Sequence, residues 1–171
     1  MRGAQHSPPR KPFHKIVWSW IGSFLGIYLI AIVHDLFQID IFLVGSFGAS
    51  AVLIYGTPQA EFSQPRNLIG GHLISAFIGV SVYKYLHFDV ALLAALGVSL
   101  SIAFMHYSRT LHPPGGATAL IAIIGSSKIH EEGYLYILFP IGLGALVLLL
   151  VALLVNNLSN DARRHYPRYW L

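Results

Sequence analysis

The side chains best suited to binding chemistry lie close together in the stretch from Arg109 to Thr118. Two consecutive prolines follow His112. The first disfavours helical backbone at the histidine, and the second suits the opening turn of a helix. The order of residues therefore predicts an imidazole beside a helix N-terminus, where Gly115 and Gly116 let the backbone approach a ligand closely. Unpaired amides and the positive end of a helix dipole favour an anion there. The competing interpretation is a water-exposed loop histidine.

A second polar stretch carries Arg66, Asn67 and His72 at the start of another helix. We expect Arg66 and Arg109 to attract an anion, although arginines at the ends of apolar segments also anchor a chain to lipid headgroups. His72 and His106 fall inside apolar segments, where ionisable side chains are costly and count as functional candidates. The alternative is a neutral histidine that hydrogen-bonds to a neighbouring helix.

These residues lack the spacing of a metal or catalytic centre. His72, His106 and His112 form no i, i+4 pair and have no acidic residue nearby in the sequence, so we expect no metal and no cofactor. The chain has no nucleophile elbow and no phosphate-binding loop, and we expect it not to be an enzyme. Its net charge of +4 comes from cations at the ends and in short loops. That distribution orients a membrane protein, and we expect no nucleic-acid partner.

Long apolar segments must position these side chains. Of the 171 residues, 55% are hydrophobic and 11% are charged, against about 25% charged residues in a soluble domain. The sequence predicts an all-α, polytopic helical membrane protein with about six transmembrane segments. They cover approximately residues 13–33, 39–55, 68–86, 90–107, 115–124 and 134–155. The fifth segment is short and covers about half of a hydrocarbon core.

The charges predict how the chain lies in the membrane. With six crossings, every arginine falls on one side, which the positive-inside rule assigns to the cytoplasm. We expect a mobile cytoplasmic arm over residues 1–12, a transmembrane domain over 13–157, and a cytoplasmic or interfacial tail over 158–171. In that tail, Tyr166, Tyr169 and Trp170 would rest at the level of the lipid headgroups. A rival arrangement of four full spans and two re-entrant half-helices gives the same end placement.

Two short segments resemble each other and indicate an internal repeat. Residues 48–54 (GASAVLI) and 116–122 (GATALIA) share a pattern of small residues, and each is the middle element of a three-segment half. The two halves would be inverted, with broken or short middle helices, as in transporters with a central site. The residues expected at the meeting point are Ser46, Gly48, Ser50, Gly116 and Thr118. The alternative is that the small residues only permit close helix packing.

At these motifs the sequence resembles the HPP family of integral membrane proteins, whose name describes the residues His112-Pro113-Pro114. The resemblance extends over about residues 13–160. It rests on GSFGAS at residues 45–50, QPRNLIGGH at 64–72, the run 109–119 and the asparagine pair 156–157. It implies a helical membrane fold without enzymatic activity, and an association with nitrite transport in the chloroplast and cyanobacterial members.

The resulting hypothesis is a membrane transporter or channel for a small inorganic anion, with nitrite as the first candidate. The predicted ligands are Arg66, Asn67, His72, Arg109, His112, Gly115, Gly116, Thr118, Ser46, Gly48 and Ser50. His112 and His72 would donate hydrogen bonds or carry a coupled proton.

The alternative hypothesis is a non-transporting scaffold or sensor whose motifs serve helix packing and assembly. A bundle this small has little interior for a pore, so we expect a homo-oligomer surrounded by membrane lipid. The lack of a transit peptide predicts a bacterial inner membrane.

Overall fold

The computed structural model describes residue 7, residues 9–37 and residues 45–171 of the chain. These residues form seven helices. They are α1 (Phe13–Phe37), α2 (Ser46–Gly56), α3 (Pro65–Tyr85), α4 (Val90–Tyr107), α5 (Pro114–Ile124), α6 (Ser127–Glu132) and α7 (Ile137–Asn157). The predicted helical membrane fold is confirmed.

Four of these helices, α1, α3, α4 and α7, are long and apolar enough to cross a membrane. The other apolar helices, α2 and α5, are short. The 11 residues of α5 extend about 17 Å, which is about half of a hydrocarbon core. The predicted fourth segment, residues 90–107, coincides with α4. The second predicted segment begins at residue 39, and its part up to residue 44 lies outside the described residues.

Local residue types explain where several helices begin. α3 begins at Pro65 and α5 at Pro114. The first amides of a helix have no acceptor within the helix, so the N–H that proline lacks is not missed at these positions. α4 is preceded by Asp89, whose carboxylate accepts the amide of Leu92 at 3.0 Å. α7 is kinked near its start, where Pro140 interrupts the helical geometry.

One end of the bundle collects basic side chains and is called the arginine end below. It contains Lys15, Arg66, Arg109 and Arg164. The ammonium of Lys15 lies 3.0 Å from the carboxylate of Asp161, which joins the start of α1 to the segment after α7. Both described ends of the chain therefore lie at the arginine end. Residues 1–6 and 8 of the predicted mobile arm lie outside the described residues.

The segment after α7 folds back onto the arginine end. The hydroxyl of Tyr166 donates to the carbonyl of Ser63 at 2.7 Å, and the side chain is buried. The predicted headgroup position is therefore wrong for Tyr166. Arg164 is also buried, and it donates at 2.8 Å to the carbonyl of Tyr55. The last turn of α2 is π-helical, and Arg164 satisfies a carbonyl that this turn leaves without a helical partner.

The two short helices lie in the middle of the bundle. α5 packs against α3 and α4, while α2 packs against α1, α5 and α7. The approach of α3 to α5 is close at Gly79, where an added Cβ would lie 2.6 Å from the carbonyl oxygen of Ala119. This contact between backbones brings the polar residues of α3 and α5 within hydrogen-bonding reach of each other.

Candidate functional site

Five polar side chains form one buried cluster between the short helices and α3. They are Ser46 and Ser50 of α2, His72 of α3, His112 of the α4–α5 connection and Thr118 of α5, and none is more than 1% exposed. We call them the hydroxyl–imidazole chain. All five belong to the set of ligands predicted from the sequence.

The members of this chain are linked in a single order. Thr118 lies between Ser46 and His72: its hydroxyl donates to Ser46 Oγ at 2.9 Å and lies 2.8 Å from His72 Nδ1. The other nitrogen, Nε2 of His72, lies 2.8 Å from Ser50 Oγ. Ser50 Oγ then lies 2.9 Å from Nε2 of His112. One hydroxyl thus joins the two imidazoles.

A backbone carbonyl ends the chain at His112. Nδ1 of His112 lies 2.7 Å from the carbonyl oxygen of Phe62. A carbonyl oxygen only accepts hydrogen bonds, so Nδ1 of His112 carries a proton. The rings of His72 and His112 meet edge to face, with centroids 4.9 Å apart. Phe47 also packs edge to face against His72, with ring centroids 5.3 Å apart.

Glycines of α3 bring the α4–α5 connection into the bundle. A Cβ at Gly71 would lie 2.5 Å from Cβ of His112 and 2.9 Å from the carbonyl oxygen of Thr110. A Cβ at Gly70 would lie 2.6 Å from Cγ2 of Thr110. Only glycine leaves room for the connection to pass this close to α3, and this passage places His112 beside Ser50.

Ser50 and Thr118 occupy equivalent positions in the two similar segments, residues 48–54 and 116–122, and they contact the two nitrogens of the same ring. Each hydroxyl lies 2.8 Å from its nitrogen of His72. α2 ends at the arginine end, where the carbonyl of Tyr55 accepts from Arg164, whereas α5 starts nearer that end and runs away from it. The two short helices therefore run in opposite directions past His72.

The C-terminus of α4 holds Arg109 in an unusual backbone conformation. The amide of Thr110 donates to the carbonyl of Met105 at 2.9 Å, and the amide of Arg109 donates to His106 at 3.2 Å. These two bonds form a Schellman motif, whose left-handed position usually holds glycine. Arg109 occupies that position with φ of 58°. Its side chain is exposed, and no described carboxylate pairs with it.

A pocket of about 350 Å³ lies beside Arg109 at the arginine end. Its lining includes the side chains of Glu61, Asn67 and His106, together with Phe62, which contacts His112. Asn67 donates to the carbonyl of Leu111 at 2.9 Å, while its buried Oδ1 has no hydrogen-bond partner in the described structure. The pocket therefore holds the guanidinium of Arg109, unpaired among the described residues, and the unsatisfied Oδ1 of Asn67. Phe62 connects the pocket lining to His112 of the hydroxyl–imidazole chain.

The family model described as HPP, transmembrane region, matches residues 8–167. The chain belongs to the HPP family. Two curated relatives, each named as a transmembrane protein of Dictyostelium discoideum, are 44% and 45% identical over 99% and 98% of this chain. The chain spans 55% and 60% of their respective lengths. No solved structure matches it.

Other predicted ligands of this HPP chain lie near the site in different roles. Arg66 is half-buried and donates to the carbonyl of Ser108 at 2.8 Å, so it caps the C-terminus of α4. Gly115 packs against α3, where a Cβ would lie 2.7 Å from the hydroxyl of Ser75. Gly48 and Gly116 have space around them. His106, which was a functional candidate but not one of the predicted ligands, lines the pocket and is exposed.

The expectation of bare glycine amides is not met in this conformation. The amide of Gly48 donates to the carbonyl of Gly45 at 3.2 Å. The amides of Gly115 and Gly116 donate to His112 and Pro113 at 2.8 and 3.1 Å. Helix-opening turns satisfy these groups locally, so side chains rather than these three amides are the available ligands.

Sequence reasoning missed two partners of the HPP site. The carbonyl of Phe62 fixes the His112 tautomer, and a backbone acceptor has no residue-type signal. The hydroxyl of Tyr136 donates to the carbonyl of Thr118 at 3.2 Å, and this side chain is fully buried. A tyrosine in a membrane segment reads as an interface anchor in the sequence, so its buried contact emerges only from the packing.

Charge at the arginine end is partly compensated outside the membrane spans. Asp161 accepts hydrogen bonds from Lys15 and from Arg163, whose Nε lies 3.1 Å away. These two cations hold the pKa of Asp161 well below its ordinary value. Arg109 lies outside this ion-pair group, which leaves its charge available beside the pocket.

Proposed function

We propose that this HPP protein transports a small inorganic anion, with nitrite as the first candidate. The observation that carries the proposal is the hydroxyl–imidazole chain, a continuous polar path that is fully buried among apolar helices. In a membrane, polar side chains are costly to bury unless they are hydrogen-bonded, and small apolar residues would pack helices at lower cost. Two adjacent histidines in such a place indicate a transport function.

Access for the anion is proposed at the pocket beside Arg109. The exposed guanidinium concentrates anions by its charge, and low-dielectric walls strengthen that field. The imidazole of His106 adds a hydrogen-bonding group at the same opening. Phe62 lines this pocket, and its carbonyl oxygen lies 2.7 Å from Nδ1 of His112, so the hydroxyl–imidazole chain begins directly behind the lining.

The inverted repeat belongs to this proposal, and the packing supports it. In the proposed repeat, α1 corresponds to α4, α2 to α5 and α3 to α7. If each helix is replaced by its counterpart, the α1–α7 contact becomes the α4–α3 contact and the α1–α2 contact becomes the α4–α5 contact, and all four contacts are present. The same exchange turns α3–α5 into α7–α2, and it leaves the α2–α5 and α3–α7 contacts as they are. A six-segment arrangement of two inverted halves, with α2 and α5 as short middle helices, accounts for this pattern.

The conformation described here is closed in this scheme. The members of the hydroxyl–imidazole chain satisfy one another, and Phe47 and His72 fill the space between the short helices. Passage of an anion then requires α2 and α5 to move apart, which breaks the Ser50–His112 and Ser46–Thr118 contacts. Those donors would bind the anion in the open state. Arginines facing the cytoplasm remain the expected orientation.

Uptake of nitrite into vesicles containing only the purified protein tests the proposal. His112→Gln and Arg109→Ala should lower protein-dependent uptake strongly, because they remove a chain member and the free cation of the pocket. Matched controls are His87→Gln, an exposed histidine beyond α3, and Arg163→Ala, an exposed arginine at the same end. If the two site variants take up nitrite as fast as wild type and as the two control variants, the proposed site is wrong.

The second candidate is a scaffold or sensor that assembles through its short helices. One observation favours it: Gly45 and Gly48 are exposed and have open space around them, so α2 presents a small-residue face for a second copy. Purified wild type that carries no anion but forms a defined homo-oligomer would support this alternative. The bacterial membrane also stays a prediction, since both relatives come from an amoeba.

A further inference from the structure

The hydrogen bonds of the buried cluster can be counted proton by proton. The fixed point is His112, whose Nδ1 donates to a backbone carbonyl at 2.7 Å. Only Nε2 of His112 can therefore change its protonation, and it faces Ser50. Ser50 has one hydroxyl proton, and its oxygen also lies 2.8 Å from Nε2 of His72. The donor and acceptor roles of the two rings are thus linked through one atom.

With two neutral rings, the contacts have one consistent direction. Ser50 donates to His112, so His72 must donate to Ser50 through Nε2. Nδ1 of His72 then accepts the hydroxyl proton of Thr118, and Ser46 must donate to Thr118. Every contact within the chain is satisfied, and every proton points from Ser46 toward His112. The carbonyls of Ser46 and Pro114, at 3.1 Å from Ser50 Oγ and 3.4 Å from Thr118 Oγ1, are the alternative acceptors of these two hydroxyls.

The opposite direction requires one more proton. The heavy-atom geometry of the 2.9 Å contact favours Thr118 as donor to Ser46, and with that donor the 2.8 Å contact between Thr118 and His72 needs a proton on Nδ1 of the ring. At least one of the two contacts of Ser50 must then be donated by a ring Nε2, because Ser50 has one proton for two nitrogens and for the carbonyl of Ser46, which lies 3.1 Å away. With the fixed proton on His112, the rings carry at least three protons, whereas two neutral imidazoles carry two.

We propose that the hydroxyl–imidazole chain binds one proton, passes it between Ser46 and His112, and so couples proton movement to anion transport. Each step moves a proton along an existing contact: the O–H or N–H bond of the donor breaks as a bond forms on the acceptor. Proton uptake at Ser46 reverses the links in turn and leaves the positive charge on one imidazole. This inference rests on the proposed function for its second half only.

The surroundings make the charge dependent on an anion. α2 and α5 present hydroxyls to the two rings, α4 presents Met105 nearby, and neither ring contacts a described carboxylate. The other titratable or charged groups are the hydroxyl of Tyr136, which donates to the carbonyl of Thr118, and the pocket residues Glu61, His106 and Arg109 beyond Phe62. A buried cation without a counter-ion is unfavourable. Anion and proton therefore favour each other's binding, and this coupling is reciprocal.

Nitrogen NMR of the histidine rings tests the proton site without any transport measurement. The full chain, ring-labelled with ¹⁵N in lipid bilayers, is titrated over about pH 4–9, a range around the ordinary histidine pKa. His72→Gln and His112→Gln assign the two buried rings. We expect both rings to change together in one transition that takes up one proton, and to lose this concerted behaviour in Ser50→Ala. Separate transitions of one proton each in wild type, or no change in either ring, would overturn the relay.

Flux measurements test the coupling. Vesicles containing an internal pH dye report proton influx, and the protein-free rate is subtracted because it measures leakage of the neutral acid. We expect about one proton for each nitrite ion in wild type and in Thr118→Ser, which keeps the hydroxyl. Thr118→Val should lower both rates at least about tenfold, the factor for one lost hydrogen bond in a buried cluster.

The outcomes separate the two proposals. Nitrite influx without protons in wild type would overturn the coupling but leave the transport function in place. Equal rates in Thr118→Val and Thr118→Ser would also overturn it. Absence of protein-dependent nitrite flux in wild type would contradict the proposed function, and the ring titration would then decide the proton site alone.

Discussion

Replacing Arg109 with glycine separates the backbone strain at the end of α4 from the charge beside the pocket. Arg109 holds φ of 58° in the left-handed position of a Schellman motif. A residue with a Cβ costs about 1–2 kcal/mol in that conformation, whereas glycine adopts it freely. With arginine at this position the turn is strained, whereas glycine would form the same turn without strain. We infer that its guanidinium is needed beside the pocket.

The stability change of Arg109→Gly follows from two opposing terms. Relief of the strain stabilises the folded state by about 1–2 kcal/mol. Greater freedom of glycine in the unfolded chain offsets about 0.5–1 kcal/mol of this gain. The exposed guanidinium has no described ionic partner, so its loss adds little. We expect a net gain of about 0–1.5 kcal/mol, where 1 kcal/mol corresponds to about 2–4 °C in Tm for a chain of this length.

Transport should change in the opposite direction. A hydrogen bond from a charged group contributes about 1.5–3 kcal/mol, so losing Arg109 as an anion ligand lowers the initial rate of nitrite uptake at low substrate about 10–150-fold. Arg109→Ala removes the same charge but keeps the strained position. It should therefore transport as poorly as Arg109→Gly and melt at a lower temperature. Arg109→Lys keeps a cation and should retain part of the uptake.

The assay pairs thermal unfolding in detergent with nitrite uptake into vesicles at equal reconstituted amounts. A glycine variant that melts higher and carries nitrite as fast as wild type would refute the ligand role and leave Arg109 as a topology anchor. A glycine variant that melts lower than the alanine variant would refute the strain argument.

Two further changes test the packing and the charge of the arginine end. Gly71→Ala places a Cβ 2.5 Å from that of His112, which should destabilise the fold by about 1–3 kcal/mol, whereas Gly48→Ala meets open space and should not lower Tm. Because Lys15 keeps the pKa of Asp161 low in the folded state, its contribution to stability is present above the unfolded pKa of about 4 and disappears as the pH falls below it. Asp161→Asn should abolish that part of the pH dependence of Tm, and an unchanged profile in the variant would contradict the assignment.

The sequence contained enough information to name the members of the cluster. The internal repeat aligned Ser50 with Thr118, and an ionisable residue inside an apolar segment singled out His72. The two prolines after His112 located the start of α5. These signals depend on residue type and spacing, which sequence reasoning can assess. How the members connect depends on the distances between α2, α3 and α5, which spacing along the chain does not determine.

The errors share a physical origin. Free amides at Gly115 and Gly116 were predicted because helix starts lack partners within the helix, yet a tight turn supplies carbonyls from just before the start. Tyr166 has the composition of an interfacial anchor but donates to the carbonyl of Ser63. Both outcomes depend on backbone carbonyls, which are present at every residue and so leave no pattern in a sequence. Side-chain ligands are predictable in this protein to the extent that their partners are also side chains.

The symmetry of the cluster bears on how the proposed inverted repeat would operate with one central histidine. In that proposal Ser50 and Thr118 are equivalent hydroxyls from the two halves, and both lie 2.8 Å from a nitrogen of His72. A neutral imidazole has one donor and one acceptor nitrogen, so it donates to one of these hydroxyls and accepts from the other. A protonated imidazole donates through both nitrogens, so its contacts with Ser50 and Thr118 become the same. The neutral ring therefore favours one half over the other, and proton uptake removes that preference. Under the proposed transport function, a proton on His72 would thus act on the contact between the two short helices, which we propose separate for an anion to pass.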